Sequence, residues 1–153
     1  MKQRIYIDTS VLGGYFDYEF EKYTILFFER IRNKEIRIIY SSVTEQELDL
    51  APDKVKDLIR SLPAESIEFV ELSEEAIELA TSYINENVVG KTSFDDCLHI
   101  ALATIHKADC LVSWNFKHIV NVIRIRGYNS VNLKQGYATL DIRSPRELTI
   151  YED

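Results

Sequence analysis

The chain has 153 residues, 46% hydrophobic and 28% charged, which suits one soluble globular domain whose core needs no staples. Its two cysteines, Cys97 and Cys110, lie in apolar surroundings, so a disulfide framework is not expected; with no secretory signal, the expected location is a reducing cytoplasm. No uncharged stretch is long enough to span a bilayer, and the net charge of −7 argues, for the chain as a whole, against contact with phosphates.

Arg4 to Ile7 reads as a short strand, and the Gly13-Gly14 pair within Thr9 to Phe16 is expected to break it from the next element. Tyr23, Leu26, Phe27, Arg30 and Ile31 recur at helical spacing, with Arg32, Asn33 and Lys34 as a polar end. Ile36 to Tyr40 is a second buried strand. Ser41 and Ser42 offer N-caps for a helix through Leu50, with Ser42-x-x-Glu45 as a capping box. Pro52 and Asp53 begin a helix to about Leu62, ended by Pro63, and Ile67 to Val70 is the third strand. Ser73 caps a helix whose Ala76, Ile77, Ala80, Tyr83 and Ile84 share a face, with Gly90 as its stop.

The next helix, from near Ser93 to about Lys107, is apolar almost all round: Leu98, Ile100, Ala101, Leu102, Ala103 and Ile105 surround its axis, which predicts burial on most sides. Ala108 to Val112 is the fourth strand. From Cys110 to Leu140 there is no Asp or Glu, while Lys117, Arg124, Arg126 and Lys134 give +4, leaving −11 on the remainder. Trp114, Phe116, Tyr128 and Tyr137 punctuate this stretch, which suits a surface that grips backbone phosphates and stacks bases; an ordinary basic helix, or one facing an acidic protein, explains it equally well. It reads as loop and helix, followed by a final edge strand at Thr139 to Ile142 before Pro145.

Strands alternating with helices imply an α/β fold, a three-layer α/β/α sandwich around a mainly parallel sheet of four to five strands. Ligands in such sheets bind beyond the carboxyl ends of the strands. Asp8 closes the first strand, Glu47 lies on the helix after the second, and Asn115 follows the fourth. Asp96 starts the helix that feeds the fourth strand, so it joins them only if that helix N-terminus points to the same edge. Converging carboxylates would make an oxygen cage for Mg²⁺ or Mn²⁺. Each acid also has a structural explanation. Asp8 can open a turn at Thr9 and Ser10, and Glu47 can sit on a solvated helix face. Asp95 and Asp96 can both favour a helix N-terminus, with Ser93-x-x-Asp96 as a capping box. Asp96 is selected over Asp95 because Asp95, beside Phe94, is better placed to stay in solvent. His99, one turn on from Asp96, is either a satisfied semi-buried histidine or a group that orients a carboxylate or contacts phosphate. No His and Cys spacing resembles a zinc site, and the five glycines form no phosphate loop.

In order along the chain, Ile5-Tyr6-Ile7-Asp8-Thr9-Ser10-Val11-Leu12, Ser42-Val43-Thr44 with Glu47-Leu48, Asp96-Cys97-Leu98-His99-Ile100-Ala101-Leu102-Ala103 and Leu111-Val112-Ser113-Trp114-Asn115 together resemble the PIN-domain family, in particular its VapC-type ribonuclease toxins of toxin-antitoxin pairs. Ile142 to Glu147 looks like the closing strand and proline of many members. The resemblance implies one PIN-like domain over residues 1–153 and a Mg²⁺- or Mn²⁺-dependent endoribonuclease leaving a 5′-phosphate and a 3′-hydroxyl. Asp8, Glu47 and Asp96 would then be metal ligands, and Asn115 stands where the family commonly has a fourth acid. Thr9, Ser113, His99, Lys117, Arg124 and Arg126 would support those ligands or contact substrate. It also implies an RNA substrate, an antitoxin partner and a homodimer, with Tyr15, Phe16, Phe20, Tyr23 and Phe27 as a segment that could serve either interface or the core. Loss of the fourth acid leaves an alternative: a catalytically weak or inactive PIN-like module that binds RNA or protein. A receiver-like phosphoacceptor ranks last, since Glu71 stands where that fold needs an aspartate.

Overall fold

The computed structural model describes residues 2–150. β1 (Arg4–Ile7), β2 (Arg37–Ser41), β3 (Ile67–Val70), β4 (Cys110–Val112) and β5 (Ile142–Arg143) form one sheet in the order β3-β2-β1-β4-β5. Every pairing is parallel, with Ile5 opposite both Ile38 and Cys110, and Leu111 opposite Ile142. The side-chain period of two divides each strand between two cores. Ile5, Ile7, Ile38 and Val112 face α1 (Thr9–Gly14), α2 (Glu21–Arg32) and α4 (Asp53–Arg60), where they meet Val11, Leu12, Phe27, Phe28, Ile31, Leu58 and Ile59. Tyr6, Ile39 and Leu111 face α5 (Glu74–Asn85), α6 (Phe94–Ile105) and α7 (Val122–Lys134). This is the expected three-layer sandwich with a fully covered parallel sheet. From Cys97 to Thr104, α6 is buried on all sides, as its apolar circumference requires.

Several boundaries differ from the sequence expectations for identifiable reasons. Gly13 and Gly14 do not break the chain; they complete α1, and Gly14 lets the Trp114 indole approach. The helix after β2 is α3 (Ser42–Glu47), followed by a 3-10 turn over Leu48–Leu50. Its capping box is not made, because the Ser42 hydroxyl instead accepts the Leu72 N–H across the end of β3 at 2.8 Å. The Ser93-x-x-Asp96 box is likewise absent, Ser93 being the last residue of a 3-10 turn over Lys91–Ser93. Ser73 does cap α5, accepting from Ala76 N–H at 3.2 Å. That helix stops at Asn85, short of Gly90, because Asn87 takes a left-handed conformation (φ 60°). The Asn87 and Val88 N–H groups then close onto the Ile84 and Tyr83 carbonyls. Lys34 and Lys107 end α2 and α6 in the same way.

The last strand lies at Ile142–Arg143, later than expected, and is an edge strand as anticipated. Leu140 is drawn out of it by Asn129, whose side chain bonds both its N–H and its carbonyl. Asn121, with no role foreseen from sequence, caps α7 through the Ile123 and Arg124 N–H groups. The final helix, α8 (Pro145–Ile150), packs against α2. Among the described residues no helix is long and apolar enough to cross a membrane.

Candidate active site

The chain steps from β1 to β2 to β3 on one side, then returns to lay β4 on the other side of β1. The strand order therefore reverses between β1 and β4, and the crevice beyond their carboxyl ends is where such sheets bind ligands. Asp8 leaves β1 there, Ser113 and Asn115 leave β4, and α3 carries Glu47 in from β2. The N-terminus of α6 also points to this edge, bringing Asp96 next to Asn115.

Asp8 is 4% exposed, and the two hydroxyls that hold it come from the segments that follow β1 and β4. Ser10 donates to Oδ1 and Ser113 to Oδ2, each at 2.6 Å. Those hydroxyls are themselves aimed by backbone: Trp114 N–H donates to Ser10 Oγ and Asn115 N–H to Ser113 Oγ, both at 2.9 Å. Burial raises the Asp8 pKa above the ordinary carboxylate range, opposed by the field of His99 and by the two hydroxyls. Asp96 is also raised, first by burial and then by the nearby charge of Asp8. Asp95 is exposed, as its selection against required.

Glu47 is held differently. Its Oε1 accepts from Thr9 Oγ1 at 2.8 Å and faces His99 Nε2 at 2.6 Å. His99 is 2% exposed, and its Nδ1 lies 2.7 Å from the Tyr6 hydroxyl, which lies 2.7 Å from Ser41 Oγ. A carboxylate only accepts, so Nε2 donates, and Ser41, Tyr6, His99 and Glu47 form one continuous hydrogen-bonded chain. Burial raises the Glu47 pKa, but the bonds and field of His99 together with Thr9 outweigh it, and the net shift is downward. His99 is thus a buried histidine with both ring nitrogens engaged, one of them on the Glu47 carboxylate.

Asn115 turns its carbonyl away from the acids. Its Oδ1 accepts the N–H groups of Lys117 at 3.2 Å and His118 at 3.0 Å, an Asx turn, and its Nδ2 donates to Asp96 Oδ2 at 3.3 Å. Flipping the amide would set its NH₂ against two N–H donors, so the orientation follows from the bonding. Lys117 and Arg126 are exposed, while the Arg124 guanidinium donates to Val88 O at 2.5 Å. Among the described residues, no bond or ion pair joins these cations to the acids. Tyr6, Ser10 and Ser41 were not foreseen as site residues; only Ser10, two positions after Asp8, carried a local signal for it.

Chemically, the donor set is one of hard oxygens. Asp8 and Asp96 repel each other, and neither has a Lys or Arg partner among the described residues. Asp96 Oδ1 and Glu47 Oε2 make no described hydrogen bond. Such a set fits a divalent cation as the missing counter-charge. No three His, Cys, Asp or Glu side chains among the described residues are gathered closely enough to hold an ion as they stand.

Comparison with solved structures supports the fold. VapBC2 from Rickettsia felis, bound to a DNA fragment from its promoter, gives a TM-score of 0.57 at 15% identity, covering 93% of this chain and 98% of that one. FitAcB from Neisseria gonorrhoeae gives 0.58 at 14% identity over 93% and 98%. DNA-bound VapBC from Salmonella typhimurium gives 0.56 at 15% identity over 95% and 99%. No curated protein matches the sequence. The PIN domain family model matches residues 5–116, a span that contains Asp8, Glu47, Asp96 and Asn115, and the chain belongs to the PIN-domain family.

Proposed function

We propose that this PIN domain is a Mg²⁺- or Mn²⁺-dependent endoribonuclease, the toxin of a toxin-antitoxin pair, with residues 1–153 acting as one PIN-like unit. The observation that carries this reading is the placing of Asp8 and Asp96 at the switch point, near enough for the charge of Asp8 to raise the Asp96 pKa, with no Lys or Arg paired to either among the described residues. Family membership supports a nuclease in general, since PIN domains as a class cut nucleic acids. The resemblance to VapC-type toxins supports RNA as substrate.

Asp8, Asp96 and Glu47 would hold the ion, which when bound supplies an activated water and neutralises charge on the attacked phosphate. The chain's own residues do the positioning. Ser10 on α1 and Ser113 just after β4 fix the Asp8 plane, and Thr9 and His99 fix Glu47. Asn115 brings no charge and serves Asp96 as a donor, with its carbonyl engaged in the Asx turn. Lys117, Arg124 and Arg126 are the cations assigned to flanking phosphates, with Arg124 the least free of the three.

In this reading the protein is a cytoplasmic homodimer restrained by a small antitoxin, a partner supported by the likeness of fold to VapBC and FitAcB. Asp8→Asn keeps the side-chain shape and removes one ligand charge. RNA cleavage by the wild type with Mg²⁺, and none by Asp8→Asn, is the expected result; equal cleavage by both overturns the assignment. The position of Asn115 favours one second reading, a catalytically weak or inactive module that binds RNA or protein. Thermal stabilisation by Mg²⁺ without cleavage of any RNA would select it.

A further inference from the structure

Of the four aromatic residues in the acid-free stretch, three are engaged within the protein. Trp114 and Tyr128 are buried, and Tyr137 donates its hydroxyl to Glu75 at 2.5 Å. Phe116 is the exception, 49% exposed, and it directly follows Asn115, whose amide touches Asp96. One exposed apolar residue is ordinary in itself. What sets Phe116 apart is how firmly it is supported. Its ring meets the edge of Trp114 at 6.0 Å, and Trp114 stacks on Phe20 at 4.5 Å and donates Nε1–H to Thr24 Oγ1 at 2.9 Å. The backbone beneath it is tied by the Asn115 Asx turn and by the Ile119 and Val120 N–H groups, which both donate to the Asn115 carbonyl.

We propose that the open face of Phe116 stacks an unpaired base of the substrate strand, next to the phosphate presented to Asp8 and Asp96; this rests on the nuclease reading above. The charge of its own segment favours a nucleic acid as the occupant. Lys117, the next residue, is exposed without a described ion pair, and no acid occurs from Cys110 to Leu140. A ring fixed in advance loses little freedom on binding, and base stacking on an aromatic side chain tolerates any base. Bases inside a duplex have both faces covered, so the consequence is a preference for single-stranded RNA at this position.

The test is fluorescence anisotropy at low ionic strength in EDTA, where no divalent ion supports cleavage. The probes are a short labelled RNA strand and copies that each carry one abasic position. We expect one abasic position to weaken wild-type binding by about 5- to 150-fold. In Phe116→Ala, intact and abasic strands should bind alike with the melting curve little changed, while Phe116→Tyr restores the difference. A Phe116→Ala variant that binds the intact strand as tightly as wild type, or still senses the abasic position, overturns the proposal. So does a wild type that binds no strand. Cleavage of the same strand with Mg²⁺ then separates the cases: cleavage without an effect of Phe116 sinks only the stacking, and neither binding nor cleavage sinks the nuclease as well.

Discussion

Asp96 bears two penalties at once, burial and the field of Asp8, and both favour its neutral form. A carboxyl whose pKa is raised on folding binds a proton more readily in the folded state than in the unfolded one. Its contribution to stability therefore declines as pH rises from the ordinary carboxylate range through the raised value. Asp96→Asn removes the charge and keeps an oxygen for the Asn115 amide. In EDTA at pH 8 the variant should melt above wild type, by about 2–4 °C for each kcal/mol relieved in a domain of this size. The gap should narrow on acidification. Glu47, with its lowered pKa, works in the opposite sense and loses stabilisation as pH falls, but it is common to both proteins and cancels. Scanning calorimetry across pH checks this, and a gap that widens toward acid would refute it. At this scale the three acids were candidates through their places at one expected sheet edge and within the ordered family motifs, each having a structural explanation of its own as well. Of the groups that bond them, Thr9, Ser113 and His99 were foreseen, whereas Tyr6, Ser10 and Ser41 were not, since the Ser41, Tyr6 and His99 chain links β2, β1 and α6 and only the fold brings it together. The Asn115 amide direction likewise depends on a turn geometry that its residue type permits but does not impose.

Helix α1 tests whether its two glycines differ in role. A Cβ on Gly13 meets nothing within 4 Å, whereas a Cβ on Gly14 would lie 2.7 Å from Trp114 Cδ1 and Nε1 and 3.0 Å from Thr24 Oγ1. Both substitutions gain helix propensity. Gly13→Ala should therefore stabilise by about 0.5–1 kcal/mol. Gly14→Ala must displace a rigid buried indole and should destabilise by about 1–3 kcal/mol. Trp114 is the chain's one tryptophan, so its emission reports the displacement directly. A Gly14→Ala protein with wild-type melting and emission would show that the close approach has no consequence. The same helix shows where sequence patterning ran out. The first four β-strands, α2 and α6 were legible from apolar spacing, because hydrophobic periodicity survives whatever packs against it. Helix ends were less so: Lys34, Asn87 and Lys107 take left-handed caps, and two of these are lysines, which carry no such signal. Gly-Gly suggested a break, but the residue across the gap, 100 positions away, decided its use.

Over the whole molecule, a net −7 body offers a nucleic acid one region free of acids, and the structure limits how many of its cations are available. Arg124 is committed to the Val88 carbonyl, which would be left without that donor if it swung out. Lys134 pairs with Glu86 at 2.9 Å and lies eight residues beyond Arg126 on α7, about 12 Å further along the axis. Lys117 and Arg126 remain, both exposed and without described ion pairs. Each phosphate contact to a single strand adds about −0.7 to the slope of log affinity against log salt, so two contacts predict about −1.4. Lys117→Ala and Arg126→Ala should each flatten the slope by about 0.7 while leaving base discrimination by Phe116 in place, and Lys134→Ala should leave it unchanged. A titration of labelled single-stranded RNA in EDTA over a range of KCl measures all four proteins. A wild-type slope near −2.8 would mean that Arg124 and Lys134 also leave their partners to bind phosphate, and the basic stretch would then act as a single surface.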